Sequence, residues 1–160
     1  MEIRRAGDRD IPAILELNLE SEWALSPLDA SDLAALLANT ALALVASAGD
    51  DVAGFALALA PGADYVSANF RWFSERYSSF LYLDRIAIAA RHRRRGIGAA
   101  IYEEMEAHAR PFGRMCCEVN ISPPNDVSLA FHVARGYEKL GTLDHAGGKV
   151  VVMLVKELTG

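Results

Sequence analysis

The stretch from Leu81 to Arg110, which reads LYLDRIAIAARHRRRGIGAAIYEEMEAHAR, constrains the fold more than any other part of the chain. Its apolar, β-branched start predicts a strand over Leu81–Ile88, a basic loop then ends in glycines, and the Ala- and Glu-rich end predicts a helix to about Arg110. A helix after such a loop has free backbone N–H groups at its N-terminus. Glycines, which have no side chain, allow a ligand to approach that backbone closely. The pattern predicts a site for a phosphate group.

Length and composition fit one globular domain over residues 1–160. The chain of 160 residues is 52% apolar and 23% charged, which is enough for a core of its own. The formal charge of −5 argues against nucleic acid as a partner. No apolar run is long enough to span a bilayer and Met1 to Asp10 has no signal-peptide pattern, so we expect a cytoplasmic protein with no membrane partner. The Ala- and Arg-rich usage suggests a bacterial source.

The hydrophobic periods predict the element order β, α, α, β, β, β, α, β, α, β, β. This order describes an α/β protein with a mixed sheet of about seven strands and four helices on both faces. The strands on either side of the third helix are expected to be parallel neighbours. The segment from Pro61 to Phe80 has no sustained period and is predicted to be a long loop. Its aromatic rings either form a binding wall or cap the core.

Two other phosphate-binding patterns fit the sequence less well. The spacing Arg93-x-x-Gly96-x-Gly98 is half of a dinucleotide fingerprint, and Glu118 lies about 20 residues further on, where that fold has its ribose carboxylate. However, Ile101 occupies the third small position, and the seven residues 89–95 separate the strand from Gly96. A Walker pattern fails because no Gly-Lys-Ser or Gly-Lys-Thr follows.

Three motifs together narrow the choice of phosphate-containing ligand. They are R-x-x-G-x-G after a strand that ends Ile86-Ala87-Ile88, a strand with Cys116-Glu118-Asn120, and Asn125-x-x-Ser128-x-x-Phe131-His132-x-x-x-Gly136-Tyr137. In this combination and order the chain resembles the GNAT acyltransferase superfamily over essentially its whole length. The resemblance implies a GNAT-like fold whose central strands splay apart to hold CoA. It also implies direct transfer of the acetyl group of acetyl-CoA to a primary amine.

The resemblance assigns the acetyl-CoA contacts to several segments. Backbone N–H groups after the basic loop would cradle the pyrophosphate, the strand before it would bind the pantetheine arm, and polar residues of the following strand and helix would complete the site. The predicted contacts are Ile86, Ala87, Ile88, Arg93, Arg94, Arg95, Gly96, Ile97, Gly98, Ala99, Asn120, Asn125, Ser128 and His132. His92 and His108 lack metal-ligand spacing, so no metal is predicted. His145 is expected in an exposed turn.

Two carboxylates compete for the role of general base. In its predicted strand Glu118 shares a face with Cys116 and Asn120, and it matches the base position of relatives that acetylate ribosomal-protein N-termini. The alternative is an ion-paired strand carboxylate without a catalytic role. Asp84 is the rival base; it alternates with Tyr82 and Ile86 unless a bulge reverses the parity. Asp84 also has a simple partner in the neighbouring Arg85.

His132 is a departure from the family pattern. Many family members carry a tyrosine here, which is the acid that protonates the CoA sulfur, whereas this chain has Phe131-His132. An imidazolium can donate the same proton. A packing role against CoA or on the helix surface is the other interpretation. If no acid acts here, a non-catalytic acyl-CoA-binding regulatory domain of the same fold is the alternative function.

The amine acceptor is expected between the first two helices and the Pro61–Phe80 segment. Arginines would suit an acidic acceptor and aromatic rings a flat or cationic one, so a small molecule, an amino acid and a peptide N-terminus all remain open. A homodimer is compatible with the sequence. The predicted wall residues are Asn18, Trp23, Tyr65, Asn69, Arg71, Trp72 and Arg85.

Overall fold

The computed structural model describes residues 1–158, which form seven strands and five α-helices. In chain order they are β1 (Glu2–Arg5), α1 (Ile11–Glu20), α2 (Ala30–Asn39), β2 (Leu42–Ala48), β3 (Asp51–Leu59), α3 (Ala68–Ser74), β4 (Leu81–Ile88), α4 (Ile97–Ala109), β5 (Arg114–Ser122), α5 (Asp126–Ala134), β6 (Glu138–Asp144) and β7 (Val150–Glu157). The predicted α/β class and strand number are confirmed. The sequence predicts four helices, one fewer than the structure has.

The additional helix is α3, which lies inside the segment predicted to be a long loop. The side chain of Ser67 caps it by accepting a hydrogen bond of 3.2 Å from the backbone N–H of Phe70. Phe70 and Phe73, one turn apart, are both buried against the sheet. Seven residues rich in aromatic side chains are too few to show a helical period, so tertiary packing rather than propensity forms this helix.

The strands form one mixed sheet in the order β1-β2-β3-β4-β5-β7-β6. Within residues 1–158, β4 and β5 are the one parallel pair, as the crossover through α4 predicts. Their pairing is limited to Leu81 with Met115 and Tyr82 with Cys116. Beyond Tyr82 the two strands separate, and β5 continues along β7 instead. The predicted splay of the central strands is confirmed.

Helices cover both faces of the sheet. On one face, Ile97, Ile101 and Met105 of α4 pack on the strands; on the other, α1, α2 and α3 contribute buried residues such as Ile14 and Leu33. A buried side chain of this size contributes roughly 1.5–3 kcal/mol. The buried residues on each face form one core cluster, and these two clusters fix the helices on either side of the gap between β4 and β5.

A β-bulge in β4 changes which residues share a face. The pairing with β3 shifts by one residue, from Leu57 with Arg85 to Ala58 with Leu83. As a result Tyr82 packs in one core cluster, whereas Ile86 packs against the other. The expected alternation of Tyr82, Asp84 and Ile86 is therefore wrong, and the reversal of parity that a bulge would cause is what occurs.

Candidate functional site

A cavity of about 350 Å³ opens where β4 and β5 separate. Its walls come from the α1–α2 connection, the start of α3, both splayed strands, α4, α5 and the turn before β7. The lining residues used below are Ser26, Tyr65, Asn69, Tyr82, Asp84, Arg85, Ile86, Tyr102, Cys117, Glu118, Asn120, Asn125, Ser128, His132, His145 and Lys149. Most of the polar groups predicted for the site thus meet in one place.

Glu118 occupies the β5 wall of this cavity with its carboxylate held in place. The hydroxyl of Tyr82 donates to both carboxylate oxygens, at 2.9 and 2.8 Å. Burial and then the negative charge of Asp84 raise the pKa of Glu118 to about 8, against the opposing effects of Tyr82, Asn69 and Lys149. A carboxyl with this pKa exchanges a proton near neutral pH, as a general base must.

Asp84 lies in the opposite wall, at the bulge of β4, and both of its oxygens are engaged. Tyr65 donates its hydroxyl to Oδ1 at 2.9 Å, and Nε of Arg85 donates to Oδ2 at 3.0 Å. The pairing with Arg85, the simple partner considered from the sequence, is present. Asp84 therefore contributes negative charge to the cavity while its own hydrogen-bonding capacity is largely used.

Arg85 connects β4 to the α1–α2 connection. Its Nη1 donates to Oδ1 of Asn18 at 2.9 Å and to the backbone oxygen of Ser26 at 3.2 Å, and its Nη2 donates to Oγ of Ser26 at 3.0 Å. The Arg85 and Asn18 side chains are buried. These two predicted acceptor residues thus bind to each other and to Ser26, and the Arg85 charge is balanced by Asp84.

His132 is buried beside Tyr102 of α4. Nδ1 of His132 lies 2.7 Å from the backbone oxygen of Ser128, and Nε2 contacts the hydroxyl of Tyr102. Since a carbonyl only accepts, Nδ1 carries the proton and Nε2 accepts from Tyr102. Burial lowers the pKa of His132, which favours this neutral form. Tyr102 also faces the cavity, but nothing in its helix-forming surroundings marks it in the sequence.

The basic loop leads into α4 through two left-handed residues. Arg94 has φ 62° and Gly96 has φ 77°, and the helix begins at Ile97, directly after Gly96. The first intrahelical bond in this turn runs from Ala100 N–H to the Gly96 oxygen at 3.0 Å, so the preceding N–H groups lack a helical acceptor. A Cβ at Gly96 or Gly98 would meet nothing within 4 Å. Free donors and open space fit a diphosphate.

The acetyltransferase (GNAT) family matches residues 10–137 of this chain. The chain belongs to the GNAT acetyltransferase family. GNAT proteins use acetyl-CoA as acyl donor, so the match supports acyltransferase activity at the family level. The seven-stranded mixed sheet agrees with the GNAT fold that the sequence resemblance implied.

Solved GNAT structures share this fold. The ribosomal-protein-alanine N-acetyltransferase of Brucella melitensis is 24% identical with a TM-score of 0.78, over 99% of this chain and 100% of that one. The ribosomal-protein-S18-alanine N-acetyltransferase of Escherichia coli is 17% identical with a TM-score of 0.73, over 99% and 94%. A putative acetyltransferase of Salmonella typhimurium, solved with acetyl-CoA, is 19% identical with a TM-score of 0.73, over 99% and 94%.

Some predicted site residues lie outside the cavity. Trp23 is 62% exposed. Trp72 lies against Gly141 of β6, with the Arg76 guanidinium 3.4 Å above its ring, and Arg71 is exposed. Ala87 and Ile88 belong to the part of β4 beyond the cavity lining. The residues from Arg93 to Ala99 lie in the basic loop and the first turn of α4, which also do not line the cavity.

Several cavity residues besides Tyr102 are absent from the sequence-based expectations. Tyr82 binds Glu118, and Lys149 faces it from the turn before β7. His145 also differs from expectation, since its ring binds Asn69 instead of facing solvent in a turn. Across residues 1–158, no three His, Cys, Asp or Glu side chains converge as metal ligands would. No helix in that range has the length and apolarity needed to cross a bilayer.

Proposed function

We propose that this protein is an N-acetyltransferase that passes the acetyl group of acetyl-CoA directly to a primary amine, with Glu118 as general base. The observation that carries the proposal is the position of Glu118, a carboxyl with a pKa of about 8 in the cavity between the splayed strands. Acetyl-CoA supplies an activated thioester carbonyl. Glu118 takes the proton that the amine must lose as its nitrogen bonds to that carbonyl carbon.

The splayed strands support the second part of the mechanism. Beyond Tyr82 the edge of β4 that faces β5 has no strand partner, so its backbone groups are free to bind the pantetheine arm. A backbone N–H near Ile86 is the proposed donor to the oxyanion that forms when the amine attacks. When the carbon–sulfur bond breaks, the thiolate must gain a proton, and the hydroxyl of Tyr102, which lines the cavity, is the proposed donor. The neutral His132 holds that hydroxyl in place, Tyr102 regains its proton from solvent, and Glu118 releases to solvent the proton that it took from the amine.

The proposed site for the CoA pyrophosphate is the loop from Arg93 to Ala99. Its support is the set of free N–H groups at the start of α4, the open space at Gly96 and Gly98, and the neighbouring arginines. Asn120, Asn125 and Ser128 are proposed as further contacts along the cosubstrate. Asn125 also caps α5, where its side chain accepts from the Ser128 N–H at 3.3 Å.

The proposed acceptor is a cationic amine, most simply the N-terminus of a peptide. The carboxyls of Glu118 and Asp84 line the cavity, and Asp84 balances the charge of Arg85, so that cation is not available to bind the carboxylate of an acidic acceptor. The similar structures that are ribosomal-protein-alanine N-acetyltransferases support a polypeptide acceptor. Tyr65 and Asn69 are the proposed wall residues beside the amine.

Thiol release from acetyl-CoA tests the proposal. The panel of acceptors holds peptides that begin with alanine, free amino acids and small primary amines, and acetylated product is identified by mass. We expect release with at least one amine and a loss of about 10²- to 10⁴-fold in turnover for Glu118→Gln, without loss of acetyl-CoA binding. Equal turnover in both proteins would remove Glu118 from the mechanism.

A non-catalytic acyl-CoA-binding regulatory domain is the second candidate. It is favoured by one observation, the histidine at position 132, whose Nε2 is already occupied by Tyr102. This candidate predicts acetyl-CoA binding with no thiol release above hydrolysis for any amine in the panel. The same experiment therefore separates the two functions.

A further inference from the structure

Asp51, the first residue of β3, contacts the segment that enters the basic loop. Its Oδ1 accepts from Nη2 of Arg91 at 2.6 Å, and its Oδ2 lies 2.9 Å from Nε2 of His92. Arg91 and His92 come directly before Arg93, where the proposed diphosphate loop begins. One carboxylate of the β2–β3 hairpin thus uses both of its oxygens on two neighbouring residues at the entrance to that loop.

His92 extends this contact into the basic loop itself. Because a carboxylate only accepts, Nε2 of His92 carries a proton. Nη1 of Arg95, which can only donate, lies 3.5 Å from Nδ1 of the same ring, a long contact in which Nδ1 accepts. The His92 side chain is 12% exposed although it lies in a surface loop. A series of side-chain contacts therefore runs from Asp51 through His92 to Arg95, the residue before Gly96.

The backbone on either side of His92 differs in how it is held. Before His92, the N–H of Ala90 donates to Oε1 of Glu20, the last residue of α1, at 2.7 Å. After His92, the chain turns at Arg94 with φ 62°, a left-handed conformation that is unfavourable for a residue with a Cβ. Such a conformation persists only where the surrounding contacts impose it. The contacts of Asp51 lie directly before this turn, where they can impose it.

The charge of Asp51 makes the direction of its effect on diphosphate binding informative. The loop after His92 contains three consecutive arginines, residues 93–95. If Asp51 acted only through its charge, its removal would strengthen the attraction of this loop for a diphosphate. If Asp51 fixes the loop, its removal must weaken binding, because a loop that becomes ordered only on binding loses conformational entropy at that moment. The two roles therefore predict opposite changes in affinity.

We propose that Asp51 is a positioning residue for the CoA diphosphate, acting through Arg91 and His92 on the turn that leads into α4. The inference rests on the proposed diphosphate site at residues 93–99. It gives the β2–β3 hairpin, which does not line the cavity, a part in binding the acetyl donor. The Asp51 and Arg91 side chains are 48% and 58% exposed, so their ion pair adds little to overall stability and acts on the loop instead.

Calorimetric titration of the protein with acetyl-CoA, in the absence of any amine, tests the proposal. For Asp51→Ala we expect the affinity for acetyl-CoA to fall about 3- to 10-fold, the effect of about one net hydrogen bond. Asp51→Asn should lose less, because its amide oxygen still accepts from one of the two partners. In thiol release the KM for acetyl-CoA should rise by a similar factor, whereas kcat at saturating acetyl-CoA should change little.

His92→Phe tests the route from Asp51 to the loop, because it removes both ring nitrogens. If Asp51 acts through His92, the two residues are coupled, and the double variant should lose less affinity than the product of the two single losses. Single losses that multiply would contradict the proposal.

The matched control is Asp50→Ala. Asp50 precedes Asp51 in the same turn and is exposed, and its replacement makes the same change in net charge. Its affinity for acetyl-CoA should be no weaker than that of the wild type. Unchanged or tighter binding in Asp51→Ala, or equal losses in Asp51→Ala and Asp50→Ala, would overturn the proposal. Weaker binding in Asp51→Ala, in a protein that acetylates no amine, would refute the proposed function and leave the positioning role intact.

Discussion

At the scale of single residues, the proton affinity of Glu118 reflects a competition. Burial and the charge of Asp84 favour the protonated carboxyl, whereas the hydrogen bonds from Tyr82 and the nearby polar side chain of Asn69 favour the carboxylate. The result is a pKa of about 8, compared with 4.5 for an ordinary glutamate. If Glu118 is the base, the rate should rise with pH up to about this value, because only the ionised form accepts a proton.

Removing the hydroxyl of Tyr82 should shift the pH dependence of the rate to higher pH. In Tyr82→Phe the carboxylate loses a donor to both oxygens, so the pKa of Glu118 should rise further above its usual value. We expect a loss of activity at pH 7 that is largely recovered at pH 9 or above. The measurement is the pH profile of kcat/KM.

Tyr77→Phe is the control for the Tyr82 variant. Tyr77 loses the same hydroxyl but lies beside Arg114, away from the cavity lining. Its profile should match that of the wild type. A Tyr82→Phe profile that falls by the same factor at every pH would point to structural damage and contradict the prediction.

Replacing His132 separates chemistry from binding. His132→Phe keeps an aromatic ring in the cluster of Tyr102, Phe131 and Tyr137 but removes the nitrogen that contacts the Tyr102 hydroxyl. If this pair supplies the proton for the sulfur, turnover should fall about 10²-fold or more, with far less change in acetyl-CoA affinity. Steady-state kinetics and calorimetric titration measure the two quantities.

Tyr137→Phe is the matched control for His132. Its ring packs on His132 at 5.3 Å, but its hydroxyl donates to Glu106 and not into the cavity. We expect its turnover to remain that of the wild type. Equal losses of turnover and affinity in His132→Phe, or no loss of either, would exclude the acid role.

Residue identities were easier to predict than residue partners. Glu118, Asp84 and His132 stand out in the sequence because polar residues interrupt apolar runs there. Their partners do not: Tyr82 is 36 positions from Glu118, Tyr102 is 30 from His132, and His145 is 76 from Asn69. Contacts of this kind depend on how strands and helices pack, and one sequence contains no local signal for them.

At the scale of elements, Arg85 joins the α1–α2 connection to β4. The Arg85 and Asp84 side chains are 6% and 5% exposed, so removing the cation leaves a buried carboxylate without its partner. We expect Arg85→Met to lower the free energy of unfolding by about 3 kcal/mol. Urea denaturation at neutral pH measures the change.

Arg91→Met is the comparison for Arg85. It breaks an ion pair with Asp51 in which the two side chains are 58% and 48% exposed. Solvent screens such an exposed pair, so its loss should change the free energy of unfolding far less than the loss of Arg85. If both variants lost the same stability, burial would not be what makes the Arg85 contacts strong.

Elements with a long, regular hydrophobic period were predicted well, whereas short or irregular elements were not. The β4 strand occupies the predicted residues Leu81–Ile88. The short α3 helix and the bulge in β4 both depend on packing against neighbours, which sequence periodicity does not report. The bulge matters most, because Asp84 is the residue that the register shift leaves without a pairing partner on β3.

At the scale of the whole molecule, Glu118 should make stability depend on pH. Its pKa is raised in the folded state, so its contribution is fully present below about pH 4.5 and is lost as pH rises through about 8. The slope approaches about 1.4 kcal/mol per pH unit in that window. Glu118→Gln should remove it, giving a free energy of unfolding that changes less between pH 5 and pH 8.

Glu106 should have the opposite effect on stability, because its contribution to the free energy of unfolding is lost at acid pH. Burial would raise its pKa, but hydrogen bonds from Arg135, Lys156 and Tyr137 outweigh burial and hold the pKa below its usual value. Its contribution is present above about pH 4.5 and lost as pH falls through the folded-state pKa. Urea denaturation across this range tests both effects, and parallel curves for wild type and Glu118→Gln would contradict the first.

The narrow contact between β4 and β5 has a consequence for how the chain folds. The strands β1 to β4 pair in antiparallel order on one side of the gap, and β5 to β7 do so on the other. Within residues 1–158, two residue pairs join the half-sheets, and the chain connection between β4 and β5 includes the whole of α4. Since pairings that are close in sequence form faster than distant ones, we expect the two half-sheets to assemble separately. Their union at Tyr82 and Cys116 would then be a late event, and the cavity between β4 and β5 would form only as folding ends.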